Sequence, residues 1–286
     1  MHNKLVNELA ICGLNTVKAA AQYNPQKINR LFLREERLPL FKELCGQLAR
    51  RKRPYKICDD EELLRICKDQ HHQGIVAMIE DAVIEPLTRE DLDLWVNEAK
   101  TGVVLHSIGN DFNLGAIARA AAFFDAYFIV ISEFEAKTMA ADTRPTEKLP
   151  PEKLPPEKLL TEKLPPERLL PPRLSTAAFR AAEGGMEHVV VRSVRKTASF
   201  LRDASKKLFT IGTGPRARLR IGDLPAIMKE RKSGVALVLG NEEAGLPEEV
   251  KLNCSSLLRI PGTGSMESLN VAQSAALFLH AIYEAQ

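Results

Sequence analysis

Three stretches of the sequence place chemically capable side chains directly after apolar, strand-like runs. They are GNDFNLGAIARAAAFF (109–124), GNEEAGL (240–246) and PGTGSMESLN (261–270). In a doubly wound α/β sheet, ligands bind at the edge where the strands end and the helices begin. The residue types in these stretches therefore indicate what kind of ligand such an edge would hold.

The first stretch carries a single charge in an apolar helical run. Within 114–124 that charge is Arg119, and at 100° per residue it points away from the face that includes Ile117 and Ala121. An unpaired buried charge is costly. Arg119 is therefore directed at a functional site, or it is exposed to solvent, or it is paired with another side chain for a structural reason. Asn113 is a natural N-cap for this helix.

The second stretch does not suit a phosphate. GNEEAGL has the G-x4-G spacing of a P-loop, but Leu246 follows the second glycine where a P-loop requires lysine. Its two carboxylates, Glu242 and Glu243, would repel phosphate groups. The loop that begins at Gly240 suits a neutral or cationic ligand, or hydroxyl groups.

The third stretch, with its flanking residues, reads IPGTGSMESLNVAQSAA (260–276) and has two glycines before a helix predicted over Leu269–Ala285. It is either a phosphate cradle, an ordinary cap in which Ser268 begins the helix, or a loop whose glycines let backbone groups approach another ligand. A dinucleotide fingerprint would need G-x-G-x-x-G after the first strand, and the sequence lacks it there.

Several other classes of protein are disfavoured by composition and motif. The sequence has no H-E-x-x-H, G-x-S-x-G or kinase signature, and its six histidines have no metal-ligand spacing. Five cysteines without a C-x-x-C pair predict free thiols in a reducing cytoplasm. The sequence contains no run of eighteen uncharged apolar residues, so no membrane span is predicted. The N-terminus lacks the features of a secretory signal.

The elements that position the three stretches are predicted to form two units. Residues 1–80 alternate helices and short strands in a small α/β unit, and 81–100 form a linker whose amphipathic helix begins near Glu90 and Asp91. Over 101–286, apolar runs alternate with helices, which predicts a parallel sheet covered on both faces. Its strands are predicted over Val103–His106, Tyr127–Ile131, His188–Val191, Leu208–Ile211, Val235–Leu239 and Leu257–Ile260.

Two segments have unusual composition. Residues 143–172 repeat an EKLPP-like unit whose proline pairs forbid a regular helix, so we interpret them as a surface insertion that leaves the fold intact. RRKRPYK at 50–56 is strongly basic in a chain whose net charge is only +3. Such a run is either the solvated end of a helix or a surface that binds nucleic-acid phosphates. Its candidate residues are Arg50, Arg51, Lys52 and Arg53.

Taken together, the three stretches resemble the three motifs of the SpoU-type RNA ribose 2′-O-methyltransferases of the SPOUT superfamily, which includes uncharacterised enterobacterial members. The motifs are N-x-G-x-I-x-R, G-x-E-x-x-G-L and I-P-x-x-G-x-x-x-S-L-N-V. The first 80 residues resemble the family's substrate-binding domain, most clearly in HQGIVA at 72–77. The matching motif positions are Asn113, Gly115, Ile117 and Arg119, then Gly240, Glu242, Gly245 and Leu246, then Ile260, Pro261, Gly264, Ser268, Leu269, Asn270 and Val271.

The resemblance implies an α/β fold with a parallel-sheet methyltransferase domain. A C-terminal trefoil knot would bind S-adenosylmethionine, and a small α/β/α substrate-binding domain would precede it. Backbone groups would hold most of the cofactor, at positions matching Gly240, Ile260 and Leu269, with Thr213 as a further candidate. The resemblance also implies a homodimer that buries the final helix and places Arg119 near the other subunit's cofactor.

The implied reaction transfers a methyl group to a ribose 2′-OH of tRNA or rRNA, with no metal and no membrane involved. Arg119 would act as a base or as a clamp on the adjacent phosphate, and the clamp is favoured because guanidinium normally stays protonated. Glu242, Ser268 and Asn270 would position the ribose and support Arg119. Asn113 completes the candidate catalytic set.

Four positions depart from the usual family pattern: Asp111, Ala120, Gly262 and Ala272. None removes a candidate catalytic side chain. The departures and the insertion leave open a catalytically weak or inactive RNA-binding protein of the same fold. An unrelated nucleotide-binding enzyme is a further alternative.

Overall fold

The computed structural model describes residues 2–3, 8–80, 83–132, 172–229 and 233–286. The insertion predicted at 143–172 lies outside the described residues, except for Pro172. The described residues form two sheets, one within the first 80 residues and one in the remainder of the chain.

The first sheet has five strands in the order β1-β2-β5-β3-β4. Its helices cover both faces, because α1 and α2 bury apolar side chains against one face and α3 against the other. The predicted α/β/α arrangement is confirmed, although β1 and β2 are not among the predicted strands. The elements are β1 (His2–Asn3), β2 (Glu8–Cys12), α1 (Leu14–Tyr23), β3 (Ile28–Leu33), α2 (Lys42–Arg50), β4 (Tyr55–Ile57), α3 (Asp60–Cys67) and β5 (Ile75–Glu80).

The second sheet has seven strands in the order β10-β12-β9-β11-β6-β7-β8, and every pairing is parallel. The short edge strand β10 is not among the predicted strands, and the other six lie where apolar runs predicted them, with ends that differ by at most three residues. The elements are α4 (Arg89–Asn97), β6 (Thr101–Leu105), α5 (Asp111–Phe123), β7 (Ala126–Ser132), α6 (Thr176–Ala182), β8 (Val190–Val194), α7 (Thr197–Ala204), β9 (Phe209–Thr213), β10 (Leu219–Arg220), α8 (Leu224–Met228), β11 (Val235–Leu239), α9 (Glu248–Lys251), β12 (Ser256–Arg259) and α10 (Val271–Ala285).

Helices cover both faces of this sheet, as the apolar strands predicted. On one face, α5, α6, α8 and α10 bury side chains such as Ile117, Phe179 and Phe278. On the other face, α4, α7 and α9 bury side chains such as Trp95 and Leu201. The α/β fold with a parallel sheet is therefore confirmed, whereas the trefoil knot stays a prediction.

The predicted linker helix packs against the second sheet. The helix begins where its acidic residues predicted an N-terminus, and Thr88 and Asp91 form a reciprocal capping box there. Trp95 is fully buried, and its Nε1 donates to the carbonyl of Val235 over 3.1 Å. The linker is thus part of the core, which its amphipathic pattern allows but does not require.

Helix α6 joins the two sheets. The Thr176 hydroxyl donates to the carbonyl of Ala10 in β2 over 2.7 Å, and the Thr16 hydroxyl of α1 donates to the carbonyl of Phe179 over 3.3 Å. Arg180 forms an ion pair with Asp69, just after α3. Apolar residues of both units belong to one continuous core. The domain boundaries at 80 and 100 stay a prediction.

None of the helices in the described part of the chain has the length and apolar character that a membrane span requires.

Candidate functional site

Three of the residues predicted to hold a cofactor lie at the ends of neighbouring strands. Thr213 is the last residue of β9, Gly240 directly follows β11, and Ile260 directly follows β12. Strand β9 lies between β11 and β12, and all three are parallel. The structure therefore places these positions along one carboxyl edge, where ligands bind in folds of this class.

The GNEEAGL loop is held in shape by Asn241. Its Nδ2 donates to the carbonyl of Ser107 over 3.1 Å, and its Oδ1 accepts from the backbone N–H groups of Glu243 and Ala244 at 2.9 and 3.1 Å. Asn241 is not among the residues predicted from the sequence. The tendency of asparagine to hydrogen-bond the backbone two residues ahead is the signal that would have identified it.

Close backbone packing at Gly240 requires glycine. A Cβ atom there would lie 2.5 Å from the carbonyl oxygen of Gly245 and 2.6 Å from the nitrogen of Leu246. Gly245 itself has φ of 66°, in the left-handed region that favours glycine. Both glycines of the second motif are therefore explained by the shape of the loop.

Three candidate catalytic side chains form a hydrogen-bonded chain across this edge, which we call the polar trio: Asn113, Glu242 and Asn270. Nδ2 of Asn113 donates to Oε1 of Glu242. Nδ2 of Asn270 donates to Oδ1 of Asn113 over 3.1 Å. The three motifs thus meet at one place, as the resemblance implied, and each contributes one side chain.

The predicted helix caps are wrong at both motif helices. Asn110, not Asn113, caps α5, because its side chain accepts from the N–H of Phe112. Asn270, not Ser268, caps α10, because its side chain accepts from the N–H of Ala272 over 2.8 Å. The helices begin three residues earlier and two residues later than predicted. Asn113 is consequently free to join the polar trio.

Two predicted residues of the third motif are exposed. Ser268 has no hydrogen-bond partner among the described residues, and Leu269 is 46% exposed. Both precede Asn270 at the start of α10. The structure leaves their side chains open to a ligand and does not join Ser268 to the polar trio.

Arg119 lies outside the polar trio. Its side chain is 59% exposed, and its Nη1 lies 3.1 Å from Oε1 of Glu183, which follows α6. A Cβ atom on Gly185 would lie only 2.8 Å from the Cα atom of Arg119, so the turn after α6 packs directly on α5 at this arginine. Glu183 is not among the residues predicted from the sequence. It lies far from Arg119 along the chain, so no local sequence pattern indicates that the two residues pair.

Two residues of the first motif have structural roles. A Cβ atom on Gly115 would lie 2.6 Å from the Cβ atom of Ala181, so the glycine allows α5 and α6 to pack closely. Ile117 is fully buried in the core. The candidate chemistry of this motif therefore rests on Asn113 and Arg119.

The basic run after α2 is exposed at all four candidate positions. The guanidinium group of Arg51 donates to the carbonyls of Pro25 and Gln26 at 2.9 and 3.1 Å, which fixes it to the protein. The others have no ion pair among the described residues. These remaining candidates are Arg50, Lys52 and Arg53.

No cluster of three or more His, Cys, Asp or Glu side chains in the described part of the chain could hold a metal ion. That the chemistry needs no metal stays a prediction.

Two family models match successive parts of the chain. The model of the RNA 2′-O ribose methyltransferase substrate-binding domain matches residues 10–83, and the model of the SpoU rRNA methylase family matches residues 169–280. The chain belongs to the SpoU methylase family. The second match includes two of the three polar-trio residues and the ends of β9, β11 and β12.

Relatives of this SpoU-family protein align along most of its length. An uncharacterized tRNA/rRNA methyltransferase, YfiF, from Escherichia coli O157:H7 is 23% identical over 98% of this chain and 69% of its own. The 23S rRNA (guanosine-2′-O-)-methyltransferase RlmB of Bordetella pertussis is 24% identical over 94% of each chain.

Solved structures share the fold of this SpoU-family protein. An rRNA methyltransferase from Sinorhizobium meliloti superposes with a TM-score of 0.68 at 21% identity, covering 98% of this chain and 88% of that one. An AdoMet-bound rRNA methyltransferase from the same organism gives a TM-score of 0.65 at 20% identity, over 97% and 87% of the two chains. The predicted family and fold class are confirmed.

Proposed function

We propose that this protein transfers a methyl group from S-adenosylmethionine to a ribose 2′-OH of RNA. The observation that carries the proposal is the polar trio of Asn113, Glu242 and Asn270, because it joins all three motif loops at the carboxyl edge of the sheet. Membership of the SpoU family supports the reaction class, and the matched substrate-binding model supports RNA as the acceptor.

The residues at this edge fit S-adenosylmethionine. The cofactor has no phosphate and carries a positive sulfur, which the carboxylates of Glu242 and Glu243 tolerate. Apart from the glycine itself and its two chain neighbours, no atom of the described residues lies within 4 Å of where a Cβ atom would stand on Gly214 or Gly262, so backbone groups there are accessible. The exposed side chain of Leu269 suits packing against the face of the adenine ring. When bound, the cofactor supplies an electrophilic methyl group and leaves as S-adenosylhomocysteine.

The protein's own residues then have to orient the acceptor hydroxyl and take up its proton, and within the polar trio the carboxylate of Glu242 is the group able to accept it. The polar trio is a rigid arrangement of acceptors and donors suited to holding a ribose, and a positioned carboxylate or amide reduces the entropy cost of the encounter. Arg119 is proposed as the clamp on a neighbouring RNA phosphate, since guanidinium binds phosphate in bidentate fashion and stays charged. Ser268 and Leu269 complete the open side of the site.

We also propose a homodimer that covers the outer face of α10 and the end of α5. This face presents large apolar side chains: Phe123 is 80% exposed, Tyr283 52% and Leu277 45%. The Phe124 ring contacts the rings of His280 and Tyr283, which joins the two helices into one surface. Exposed apolar clusters of this kind are typical of protein interfaces. Such a dimer would bring a second subunit close to Arg119.

The substrate is proposed to be tRNA or rRNA, bound in part by Arg50, Lys52 and Arg53 beside the first sheet. Arg51 holds the adjoining loop. A cytoplasmic location is consistent with such a substrate and with the five cysteines, all of which are free.

The function is tested by methyl transfer from labelled S-adenosylmethionine to bulk RNA from cells that lack the gene, followed by mapping of 2′-O-methyl sites. We expect methyl groups to be incorporated at defined ribose positions. In the same RNA taken from cells that contain the gene, these positions should already be methylated. Cofactor and RNA binding without incorporation would indicate an inactive RNA-binding protein. Binding of NAD or ATP in place of S-adenosylmethionine would indicate an unrelated enzyme.

A further inference from the structure

Several arginines follow Thr213, one of the candidate cofactor-binding residues, closely in the sequence. The sequence from 214 to 220 is GPRARLR, and its last two residues form the edge strand β10. Strand β10 pairs in parallel with the end of β12, so that Arg220 is the register partner of Arg259. We call these side chains the arginine strip: Arg216, Arg218, Arg220 and Arg259.

None of the arginine strip's guanidinium groups forms an ion pair within the part of the chain that the structure describes. Arg216, Arg218 and Arg220 are exposed, and Arg259 is half-buried. The nearby carboxylate of Asp223 accepts from the backbone N–H of Arg220 over 2.7 Å. Two arginines elsewhere, Arg30 and Arg192, each have a carboxylate partner. The strip is therefore a concentration of uncompensated positive charge.

The register of the sheet places two of these charges side by side. Leu258 is fully buried and its partner Leu219 packs against the same core. Because successive side chains of a strand alternate between faces, Arg220 and Arg259 both point to the opposite face. Neighbouring strands lie about 4.8 Å apart, and like charges directly opposite each other are destabilising. An anion between them would remove that cost.

The strip adjoins the proposed reaction site. Arg259 immediately precedes Ile260, and the loop that contains Arg216 begins one residue after Thr213. The N–H of Gly214 donates to the carbonyl of Leu258 over 3.0 Å, which fixes the start of this loop against β12. The strip therefore lies at the same carboxyl edge of the sheet as the polar trio, and an RNA chain that extends from the trio along this edge towards β12 and β10 reaches these arginines.

We propose that the arginine strip binds the phosphate backbone of the RNA segment that flanks the methylated nucleotide. The inference rests on the proposed function, because RNA is taken as the molecule that reaches this edge. Guanidinium groups bind phosphate oxygens through paired, charge-assisted hydrogen bonds. Four arginines exceed what the single carboxylate of S-adenosylmethionine needs, whereas an RNA backbone presents one phosphate per nucleotide.

The test compares two double variants that remove the same charge. Arg218→Gln/Arg220→Gln alters the strip, and Arg195→Gln/Arg202→Gln removes two exposed arginines outside it, one directly after β8 and one in α7. RNA affinity is measured with bulk tRNA and rRNA over a series of salt concentrations. For two lost phosphate contacts, we expect the slope of log affinity against log salt to fall in magnitude by about 1.4 to 1.8. The control should retain the wild-type slope.

Further variants show whether a change in the salt slope comes from lost phosphate contacts or from lost cofactor binding. Arg218→Lys/Arg220→Lys should retain most of the slope, because lysine also binds phosphate as a point charge. Affinity for S-adenosylmethionine should not change in either variant. Arg216→Gln alone should lower the magnitude of the slope by about half as much. This single variant can be measured in place of the double variant if the double variant does not fold.

Three results would overturn the proposal: an unchanged slope in the strip variants, an equal loss in the control, or lost cofactor binding with RNA affinity intact. Failure of the proposed function has a different signature. In that case wild-type protein would bind RNA through the strip, with the expected slope, yet transfer no methyl group.

Discussion

The side-chain amide of Asn270 donates to Oδ1 of Asn113 over 3.1 Å and so joins the first residues of α10 to those of α5. The amino group of Asn113 is directed at Glu242, and Oδ1 of Asn270 accepts from the N–H of Ala272. Both amide groups are thereby fixed in orientation, because turning either one would lose two hydrogen bonds. Glu242 is held where the GNEEAGL loop faces the other two motifs.

The polar trio predicts the effect of Asn113→Ala. The substitution removes both side-chain bonds of the residue and releases Glu242 and Asn270, so kcat should fall by about 100-fold, as expected when reacting groups are misplaced by about 1 Å. Affinity for S-adenosylmethionine should stay near the wild-type value, since backbone groups are proposed to bind it. Single-turnover transfer and calorimetric cofactor binding measure the two quantities.

Asn97→Ala is the control for this prediction, because Asn97 is an exposed residue at the end of α4. It should behave as wild type. An Asn113→Ala protein with normal kcat would show that the trio is only a structural link.

Arg119 is predicted to act on the RNA and not on protein stability. Because its side chain is largely exposed and its ion pair with Glu183 is at the surface, Arg119→Ala should cost at most about 1 kcal/mol in the free energy of unfolding. Methyl transfer should nevertheless fall by about 100-fold, the loss expected when the acceptor is misplaced by about 1 Å. Arg119→Lys should recover part of the activity, since it keeps the charge but loses bidentate binding.

Urea unfolding and steady-state transfer test the two parts of this prediction together. Arg202→Ala, on the exposed side of α7, is the matched control for removal of an arginine. A large loss of stability without loss of transfer would assign Arg119 a structural role.

The apolar strands were predictable because their pattern is local. Strand β11 has the predicted bounds, Val235–Leu239, since five consecutive apolar residues ending at a glycine suit a strand buried on both faces. The short strands β1 and β10 pair over only two residues each. Their formation depends on neighbouring strands, so the sequence alone gives little indication of them.

The side-chain arrangement of the site was only partly predictable. The motifs identified Asn113, Glu242 and Asn270 as candidates, but asparagine and serine are nearly equivalent as caps. Asn113 is bonded to Glu242 and Asn270, both more than a hundred positions away, and no local pattern shows that these contacts take it out of the cap position. The pairing of Arg119 with Glu183 has the same origin and left no local signal.

Gly240 is predicted to be essential for the cofactor loop. In Gly240→Ala, the new Cβ atom would meet the backbone of Gly245 and Leu246, which cannot move without opening the loop. We expect affinity for S-adenosylmethionine to fall by about tenfold or more, equivalent to about 1.4 kcal/mol. Isothermal titration calorimetry measures this directly.

Gly46→Ala, at an exposed position of α2, provides the comparison outside the cofactor loops. A Cβ atom there would have no contact within 4 Å beyond the neighbouring residues of its helix, and its φ lies outside the left-handed region. The variant should bind the cofactor as wild type does. Equal losses in the two variants would contradict the role given to loop packing at Gly240.

The proposed dimer predicts that Phe123→Ser/Tyr283→Ser dissociates into monomers. Removing two exposed aromatic side chains from an interface should weaken association by about 2 kcal/mol or more. Light scattering after size exclusion should therefore show monomers at concentrations where the wild type is dimeric. Leu252→Ser is the control, because Leu252 is 82% exposed and follows α9 on the other face of the sheet. An unchanged oligomeric state in the double variant would rule out this face as the interface.

Asp91 gives a prediction for the pH dependence of stability. Its carboxylate accepts from Nε and Nη2 of Arg192 at 2.7 and 3.2 Å and from the N–H of Thr88. Burial opposes ionisation of Asp91, but the hydrogen bonds from Arg192 and Thr88 outweigh it, so the pKa of the carboxyl is lowered. A lowered folded-state pKa stabilises the protein above the unfolded value of about 3.9, and this contribution is lost as the pH falls through the folded-state pKa.

Asp91→Asn should therefore reduce the free energy of unfolding by about 1.5 to 3 kcal/mol at pH 7, the range for a hydrogen bond to a charged group. The difference from wild type should shrink progressively below pH 4, because protonation removes the same charge from the wild-type carboxylate. Asp93→Asn is the control, since Asp93 is 45% exposed and its ion pairs are 3.5 and 3.8 Å long. It should cost at most about 1 kcal/mol. Urea unfolding across this pH range measures both, and a pH-independent loss in Asp91→Asn would mean that the cap geometry, not the charge, stabilises α4.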